Sequence, residues 1–136
     1  MTNTFQHRLR SYGITPDQWS ILYHVGQAEG LMQKDIAERA GKDRPTTTRI
    51  LDHLTEKGWA YKQADAQDRR SFLVFATEEG KRLLAETTPI ETAFIAEVSS
   101  CMADEEYEGL LALIRRIDDK LERMREAEPD SDRETT

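Results

Sequence analysis

The sequence predicts a mainly α-helical domain that carries one small β-hairpin. Apolar residues recur at helical spacing along most of the 136-residue chain. Only residues 59–63 and 71–77 combine β-branched and aromatic residues in short runs bounded by turn formers. The helix before this hairpin carries hydroxyls and an arginine on its outward face, where a core helix usually has Glu and Lys. A chain of this length fits a single domain, predicted to cover residues 1–127.

Two helices are predicted at the N-terminus. The first covers residues 2–12, with apolar side chains at helical spacing. The second begins after Thr15, which can cap it, with Pro16 at the first helical position and Gln18 completing a capping box. The buried stripe of this second helix is expected to contain Trp19, Leu22, Tyr23 and Gly26.

A helix-turn-helix is predicted to follow a short extended link at residues 30–32. Residues 33–40 form its first helix, and Gly41 supplies the tight turn. Asp43 caps the second helix, Pro45 is tolerated in its first turn, and Gly58 ends it. Helical spacing places four side chains of this second helix on the buried face: Thr47, Ile50, Leu51 and Leu54.

The outward face of this helix suits recognition of a DNA major groove. It carries Pro45, Thr48, Arg49 and Asp52, with Thr46 and His53 at its edges. Arginine pairs with guanine edges, and threonine offers both a hydroxyl and a methyl group.

The hairpin ends in a charged tip, ADAQDRR, at residues 64–70. Arg69 and Arg70 at this tip are able to reach phosphates or a narrow minor groove, and Asp68 is placed to orient either guanidinium. The alternative is a solvated turn whose ion pair contributes little. Directly after a groove-reading helix, DNA contact is favoured. Helix, helix and hairpin in this order form a winged helix-turn-helix.

Residues 31–84 resemble the MarR family of bacterial transcriptional regulators. KDRPTTTRILDHLTEKG resembles its recognition helix, DAQDRRSFLVFATEEGKRL its wing, and GITPDQWSILYHV its entry helix. The resemblance implies a homodimeric regulator, mostly a repressor, whose winged-helix lobe (residues 13–84) is flanked by dimerisation helices (residues 1–12 and 85–127). Such a dimer binds a palindromic operator in double-stranded DNA. The implied DNA-binding residues are Lys34, Arg44, Pro45, Thr46, Thr48, Arg49, His53, Asp68, Arg69 and Arg70.

The resemblance also implies release from DNA by a small aromatic effector. The residues expected to serve its pocket are Arg10, Trp19, Tyr23 and His24. For Trp19 and Tyr23 the alternative is packing in the hydrophobic core.

Two long helices are predicted after the hairpin. The first covers residues 78–100, and Pro89 is expected to kink or split it. Asp104 is predicted to cap the second, over residues 105–127. Apolar residues of the second helix step by four and three along a heptad seam that needs a partner, in part a second subunit. This dimerisation seam contains Leu110, Ile114, Ile117, Leu121 and Met124. Residues 128–136 are expected to form a disordered tail.

The net charge of −7 does not argue against DNA binding. Residues 34–82 contain 11 Lys and Arg against 9 Asp and Glu, so the excess acid lies outside the predicted DNA-binding region. With no long apolar run and no leader pattern, we expect a cytoplasmic protein without membrane contact.

Other classes of function have weaker signals. The three histidines show no close pairing with Cys101 or with carboxylates, so no metal or other cofactor is expected. No catalytic motif is present, and an enzyme is not expected. Two alternatives stay open: a winged helix that binds another protein, and a redox-sensing regulator that acts through Cys101. A buried or idle thiol is favoured over a reactive one.

Overall fold

The computed structural model describes residues 3–68 and 70–128, which form two compact units. The first unit extends to Phe94. It contains α1 (Asn3–Leu9), a 3-10 turn (Arg10–Tyr12), α2 (Pro16–Gly26), β1 (Leu31–Met32), α3 (Gln33–Ala40), α4 (Arg44–Glu56), β2 (Ala60–Ala64), β3 (Phe72–Ala76) and most of α5 (Glu78–Ser99). The second unit begins at Ile95 and contains the end of α5 and α6 (Asp104–Ala127). The predicted fold class, mainly helical with a small hairpin, is confirmed. Most of the predicted tail lies outside the described residues.

The start of α2 is the predicted capping box. The Gln18 amide donates to Thr15 Oγ1 at 3.2 Å, and the Thr15 amide donates to Gln18 Oε1 at 3.1 Å. These two bonds satisfy backbone donors that the first turn of a helix leaves free.

The start of α6 corrects the sequence prediction by one residue. Ala103, and not Asp104, is the capping residue, and its amide donates to Glu106 Oε1 at 2.9 Å. Alanine has no side-chain acceptor for this position, so only the return bond to Glu106 is made. Asp104 is the first helical residue, where its charge suits the helix dipole.

Three antiparallel strands form the sheet, in the order β1, β3, β2. Val74 in β3 is opposite both Leu31 of β1 and Lys62 of β2. The predicted extended link at residues 30–32 therefore supplies a third, two-residue strand. Leu31, Val74 and Ala60 are buried, so one face of the sheet closes the core of the first unit.

The four side chains predicted to lie on the buried face of α4 are all buried in this core. In α2, Trp19 and Leu22 are buried as expected, whereas Tyr23 is half-buried and Gly26 is exposed. Ile21 and Val25 of α2 are also buried. They are buried because α2 packs against α3, α4 and β3, so more than one face of this helix is covered.

Trp19 joins α2 to α5 through a buried hydrogen bond. Its Nε1 donates to Thr87 Oγ1 at 2.8 Å, and the Thr87 hydroxyl donates to the Leu83 carbonyl at 2.6 Å. Trp19 is 6% exposed and Thr87 is 0% exposed. A partner for the indole N–H is required at this depth, because an unpaired buried donor is costly.

Thr87→Val is expected to lower the free energy of unfolding by about 1–3 kcal/mol, because valine fills the same space but leaves the indole N–H unpaired. Urea denaturation followed by tryptophan fluorescence measures this. Thr88→Val is the matched control, since the Thr88 hydroxyl bonds only the Leu84 carbonyl of its own helix. Equal losses in the two variants would contradict a special role for the Trp19 bond.

α5 continues through Pro89 as one helix, so the predicted split does not occur.

The second unit differs from the first because most of its side chains are exposed. The five seam residues of α6 are all exposed, from 42% at Leu110 to 59% at Ile117. Cys101 is also exposed, and its thiol donates to the Val98 carbonyl, so of the expected buried or idle thiol the buried alternative is wrong. No helix in the described part of the chain is long and apolar enough to cross a membrane.

Candidate nucleic-acid interface

The outward face of α4 forms an open groove of about 540 Å³. It is lined by Pro45, Thr48, Arg49, Asp52, His53 and Glu56. The structure thus places four of the predicted DNA-binding residues on one surface. Arg44, the first residue of α4, is exposed, and Thr46 is half-buried.

Asp43 neutralises the N-terminus of α4 from within the chain. Its Oδ1 accepts a hydrogen bond from the Thr46 amide at 2.8 Å. This bond, more than the nearby charge of Arg49, lowers the pKa of the Asp43 carboxyl. The positive end of the helix dipole already has an anionic partner, so attraction of a phosphate depends on side chains.

The far half of α4 is acidic. Asp52 Oδ1 lies 3.1 Å from the Nζ of Lys62 on β2, and Glu56 follows one turn later. Carboxylates repel a phosphate backbone, whereas Arg49 attracts it. The charges of the groove therefore favour approach of DNA to the N-terminal half of α4.

A second groove, of about 320 Å³, lies between α3 and the wing. It is lined by Met32, Gln33, Lys34, Lys62, Arg70, Ser71, Phe72 and Val74. Lys34 and Arg70, predicted separately as DNA-binding residues, line this same groove. Sequence reasoning missed Lys62 and Gln33. Neither has a distinguishing signal, because a lysine in an exposed strand and a glutamine at a helix start are ordinary surface residues.

Two side-chain contacts connect the grooves. Gln33 donates from Nε2 to Thr48 Oγ1, and Lys62 bonds Asp52. Each contact joins a residue of the wing groove to a residue of the α4 groove. The two grooves therefore form one surface, which we call the α4–wing surface.

Asp68 shapes the turn at the wing tip. Its carboxylate accepts from the Arg70 amide at 3.0 Å and from the Ser71 hydroxyl at 3.3 Å. These bonds hold the backbone of the turn, whereas the sequence predicted that Asp68 orients a guanidinium. Arg70 is exposed beside it. Arg69 lies outside the described residues.

Three of the four predicted effector residues form one aromatic cluster, in which Trp19 stacks on Tyr23 and His24 meets Tyr23 edge to face. The centroid of the Trp19 ring lies 5.3 Å from that of Tyr23, and the centroid of the Tyr23 ring lies 5.6 Å from that of His24. Burial, followed by the charge of Arg39, lowers the pKa of His24. Arg10 is exposed in the 3-10 turn after α1. The stacked rings fill the space between them, which favours the alternative prediction of core packing for Trp19.

A separate open groove of about 480 Å³ lies between the first helical segment and α5. Its lining is Arg8, Ser11, Tyr12, Pro89, Ile90 and Ala93, and none of the four predicted effector residues belongs to it. No cluster of three or more metal-binding side chains occurs within residues 3–68 and 70–128.

Residues 12–71 match the model of the MarR family. The fold is similar to that of the transcriptional regulator SlyA, with a TM-score of 0.82 and 23% identity over 88% of this chain and 84% of that one. PcaV from Streptomyces coelicolor, solved with its natural ligand, is 29% identical over 78% of this chain and 75% of its own, with a TM-score of 0.72.

MepR of S. aureus, solved in complex with DNA, is 28% identical to this chain. The match covers 85% of each chain and has a TM-score of 0.76. The family match includes β1, the two helices of the helix-turn-helix, and the hairpin as far as Ser71. Through this winged helix-turn-helix the chain is similar to the MarR family of transcriptional regulators.

Proposed function

We propose that the protein is a homodimeric repressor that binds a palindromic operator and is released by a small aromatic effector. The α4–wing surface supports the DNA-binding part of this proposal. It joins Arg49 on α4, Lys34 on α3, and Lys62 and Arg70 on the wing through the two contacts described above. A surface that combines an exposed helix with flanking cations suits a major groove and its bordering phosphates.

The proposed contacts differ along this surface. Arg49, Thr46 and Thr48 on α4 enter the major groove and contact base edges. Lys34 and Arg70 neutralise phosphates, the charge of Lys62 is already paired with Asp52, and Arg69 is assigned to the minor groove by the family resemblance alone. Phosphate contacts fix the position of the protein and make its affinity depend on salt, whereas base contacts carry the sequence preference.

The apolar seam of α6 supports the homodimer. Its five residues are exposed in the single chain and repeat at heptad spacing. An exposed apolar stripe of this length is typical of an interface. Two-fold symmetry would then present two α4 helices to two half-sites of a palindrome.

For the effector, the groove beside Tyr12 is a better candidate site than the residues predicted from sequence. Trp19 already uses its indole N–H on Thr87 and its ring on Tyr23. The groove combines Arg8 and Tyr12 with the apolar side chains of Pro89 and Ile90. A cation and a phenol beside apolar walls suit an aromatic carboxylate.

Arg49→Ala is expected to weaken operator binding by about 1–3 kcal/mol, because a bidentate base contact is lost. The operator is first identified by selection from random duplexes, and affinity is then measured by gel shift at two salt concentrations. Arg115→Ala, on an exposed position of α6, is the matched control for loss of one positive charge.

Selection with no sequence enrichment would refute the operator and favour the winged helix as a protein-binding module. Enrichment with an unchanged affinity for Arg49→Ala would retain the regulator but remove Arg49 from base recognition. The redox alternative stays separate. If Cys101→Ser leaves the response of the protein–DNA complex to oxidant unchanged, a thiol switch at this position is excluded.

A further inference from the structure

Thr48 faces the α4 groove, but its hydroxyl is already engaged within the chain. The hydroxyl donates to the Arg44 carbonyl at 2.9 Å and accepts a hydrogen bond from the side-chain amide of Gln33. A threonine hydroxyl has a single hydrogen. That hydrogen is directed to the carbonyl one turn earlier in α4, so Thr48 has no donor left for a base or a phosphate.

This conclusion does not depend on the orientation of the Gln33 amide. With its oxygen and nitrogen exchanged, Gln33 would accept the hydrogen of Thr48 in place of the Arg44 carbonyl, and the donor would again be used inside the chain. A bond from a helical threonine to the carbonyl four residues earlier also fixes its rotamer. The side chain therefore offers a ligand in the groove no hydrogen-bond donor, and its methyl group is its apolar contact surface.

The neighbouring threonines have different arrangements. Thr47 is 0% exposed and its hydroxyl donates to the Asp43 carbonyl at 2.8 Å. Thr46 is half-buried, and its side chain hydrogen-bonds the Asp43 carboxylate, which is one of the contacts that lower the pKa of that carboxyl. Of three consecutive threonines, Thr47 is buried, Thr46 bonds the capping carboxylate of α4, and Thr48 lies beside the groove with its hydroxyl bonded to Arg44 and Gln33.

We propose that Thr48 reads a thymine through contact between its methyl group and the C5-methyl of that base, with Gln33 as the residue that positions it. This inference rests on the proposed function, because it needs α4 in a major groove. The thymine methyl is the one apolar group that base pairs present there, and threonine methyl groups are among the side-chain groups that contact it. Gln33 acts through Thr48, and its own contact with DNA is not required.

The test replaces single thymines of the selected operator with deoxyuridine, which lacks only the C5-methyl group. Each half-site is expected to contain one thymine whose replacement, made alone, weakens wild-type binding about fourfold. This factor corresponds to about 0.8 kcal/mol for one buried methyl group. Thr48→Val keeps the methyl group and should retain this penalty. Thr48→Ser keeps the hydroxyl and should lose it.

Two further variants separate the proposal from its alternatives. Thr46→Val is expected to change binding to the thymine and deoxyuridine operators by the same factor, since it removes no contact with the thymine. Gln33→Leu combined with Thr48→Val controls for the amide that valine leaves unpaired, and should also retain the fourfold penalty. Circular dichroism confirms that each variant is folded before binding is measured.

The outcomes are distinct. If no sequence is selected by the wild-type protein, the proposed function fails. If an operator is selected but no deoxyuridine replacement changes its affinity, or Thr48→Ser keeps the full penalty, the methyl contact is overturned while the regulator remains. A Thr48→Val protein that loses the preference for thymine would show that the hydroxyl, and not the methyl group, reads the base.

Discussion

Gly80→Ala is expected to destabilise the protein by about 3 kcal/mol or more, a cost at the upper end of those known for overpacking. A Cβ added at Gly80 would lie 2.1 Å from the carbonyl oxygen of Trp59 and 3.0 Å from its carbon. Both are backbone atoms, so no side-chain rotation relieves the clash. Gly80 is therefore required for the close approach of the start of α5 to the start of the hairpin.

The surrounding hydrogen bonds oppose separation of the two segments. The Thr77 amide donates to the same Trp59 carbonyl at 3.0 Å, and the Thr77 hydroxyl donates to the Gly58 carbonyl at 2.6 Å. The Gly80 amide in turn donates to Thr77 Oγ1 at 3.0 Å. Moving α5 outward to admit a methyl group would break this set of bonds, and each break adds to the cost.

Gly109→Ala is the matched control for the same chemical change. Gly109 lies within α6, and a Cβ there meets nothing within 4 Å. Alanine is favoured over glycine in a helix interior by about 1 kcal/mol, so this variant should be slightly more stable than the wild type. Urea and thermal denaturation followed by circular dichroism compare the two. A Gly80→Ala protein with wild-type stability would contradict the backbone contact.

Leu110→Glu combined with Ile117→Glu is expected to abolish the proposed homodimer. Both side chains are exposed in the single chain and lie on the proposed seam of α6. Two carboxylates facing an apolar partner surface would have to be buried without counter-charges, at a cost of several kcal/mol for each charge. The loss of two apolar contacts adds to this cost. The affinity for the operator should fall when the dimer is lost, because a monomer contacts only one half-site.

The control for this pair is Gly109→Glu combined with Ala112→Glu, which adds the same two charges to positions of α6 outside the seam. Both residues are exposed. Sedimentation equilibrium should show a monomer for the seam variant and a dimer for the control. A seam variant that sediments as a dimer would refute the assignment of α6 as the dimer interface, and would direct attention to the other helices.

Local sequence signals determined most of the elements of this protein. The cap of α4 at Asp43, the capping box of α2 and the four buried residues of α4 all agree with the predictions. Each depends on residues within a few positions of one another, because a cap satisfies the first turn and helical periodicity repeats every 3.6 residues. The error at the start of α6 is of the same local kind, since Glu106 lies three residues after Ala103 and accepts the return bond from its amide, although Ala103 has no capping side chain.

The groove-facing residues of α4 were also predicted from sequence, because they lie on the face opposite to its apolar stripe. The assembly of the α4–wing surface was not predicted. Lys34 and Arg70 line one groove only because β1 pairs with β3, which places the start of α3 beside the wing. Strand pairing between distant segments leaves no local pattern in a two-residue strand.

The sequence by itself thus determined where helices and the hairpin form, which face of α4 is buried and which residues are offered to a ligand. The tertiary structure alone decided how those residues are used. It pairs the Trp19 indole N–H with Thr87, the Lys62 amine with Asp52 and the Gln33 side-chain amide with the Thr48 hydroxyl. The availability of a polar group depends on which partners the fold brings within about 3 Å, and contacts between distant segments are fixed by packing, not by spacing along the chain.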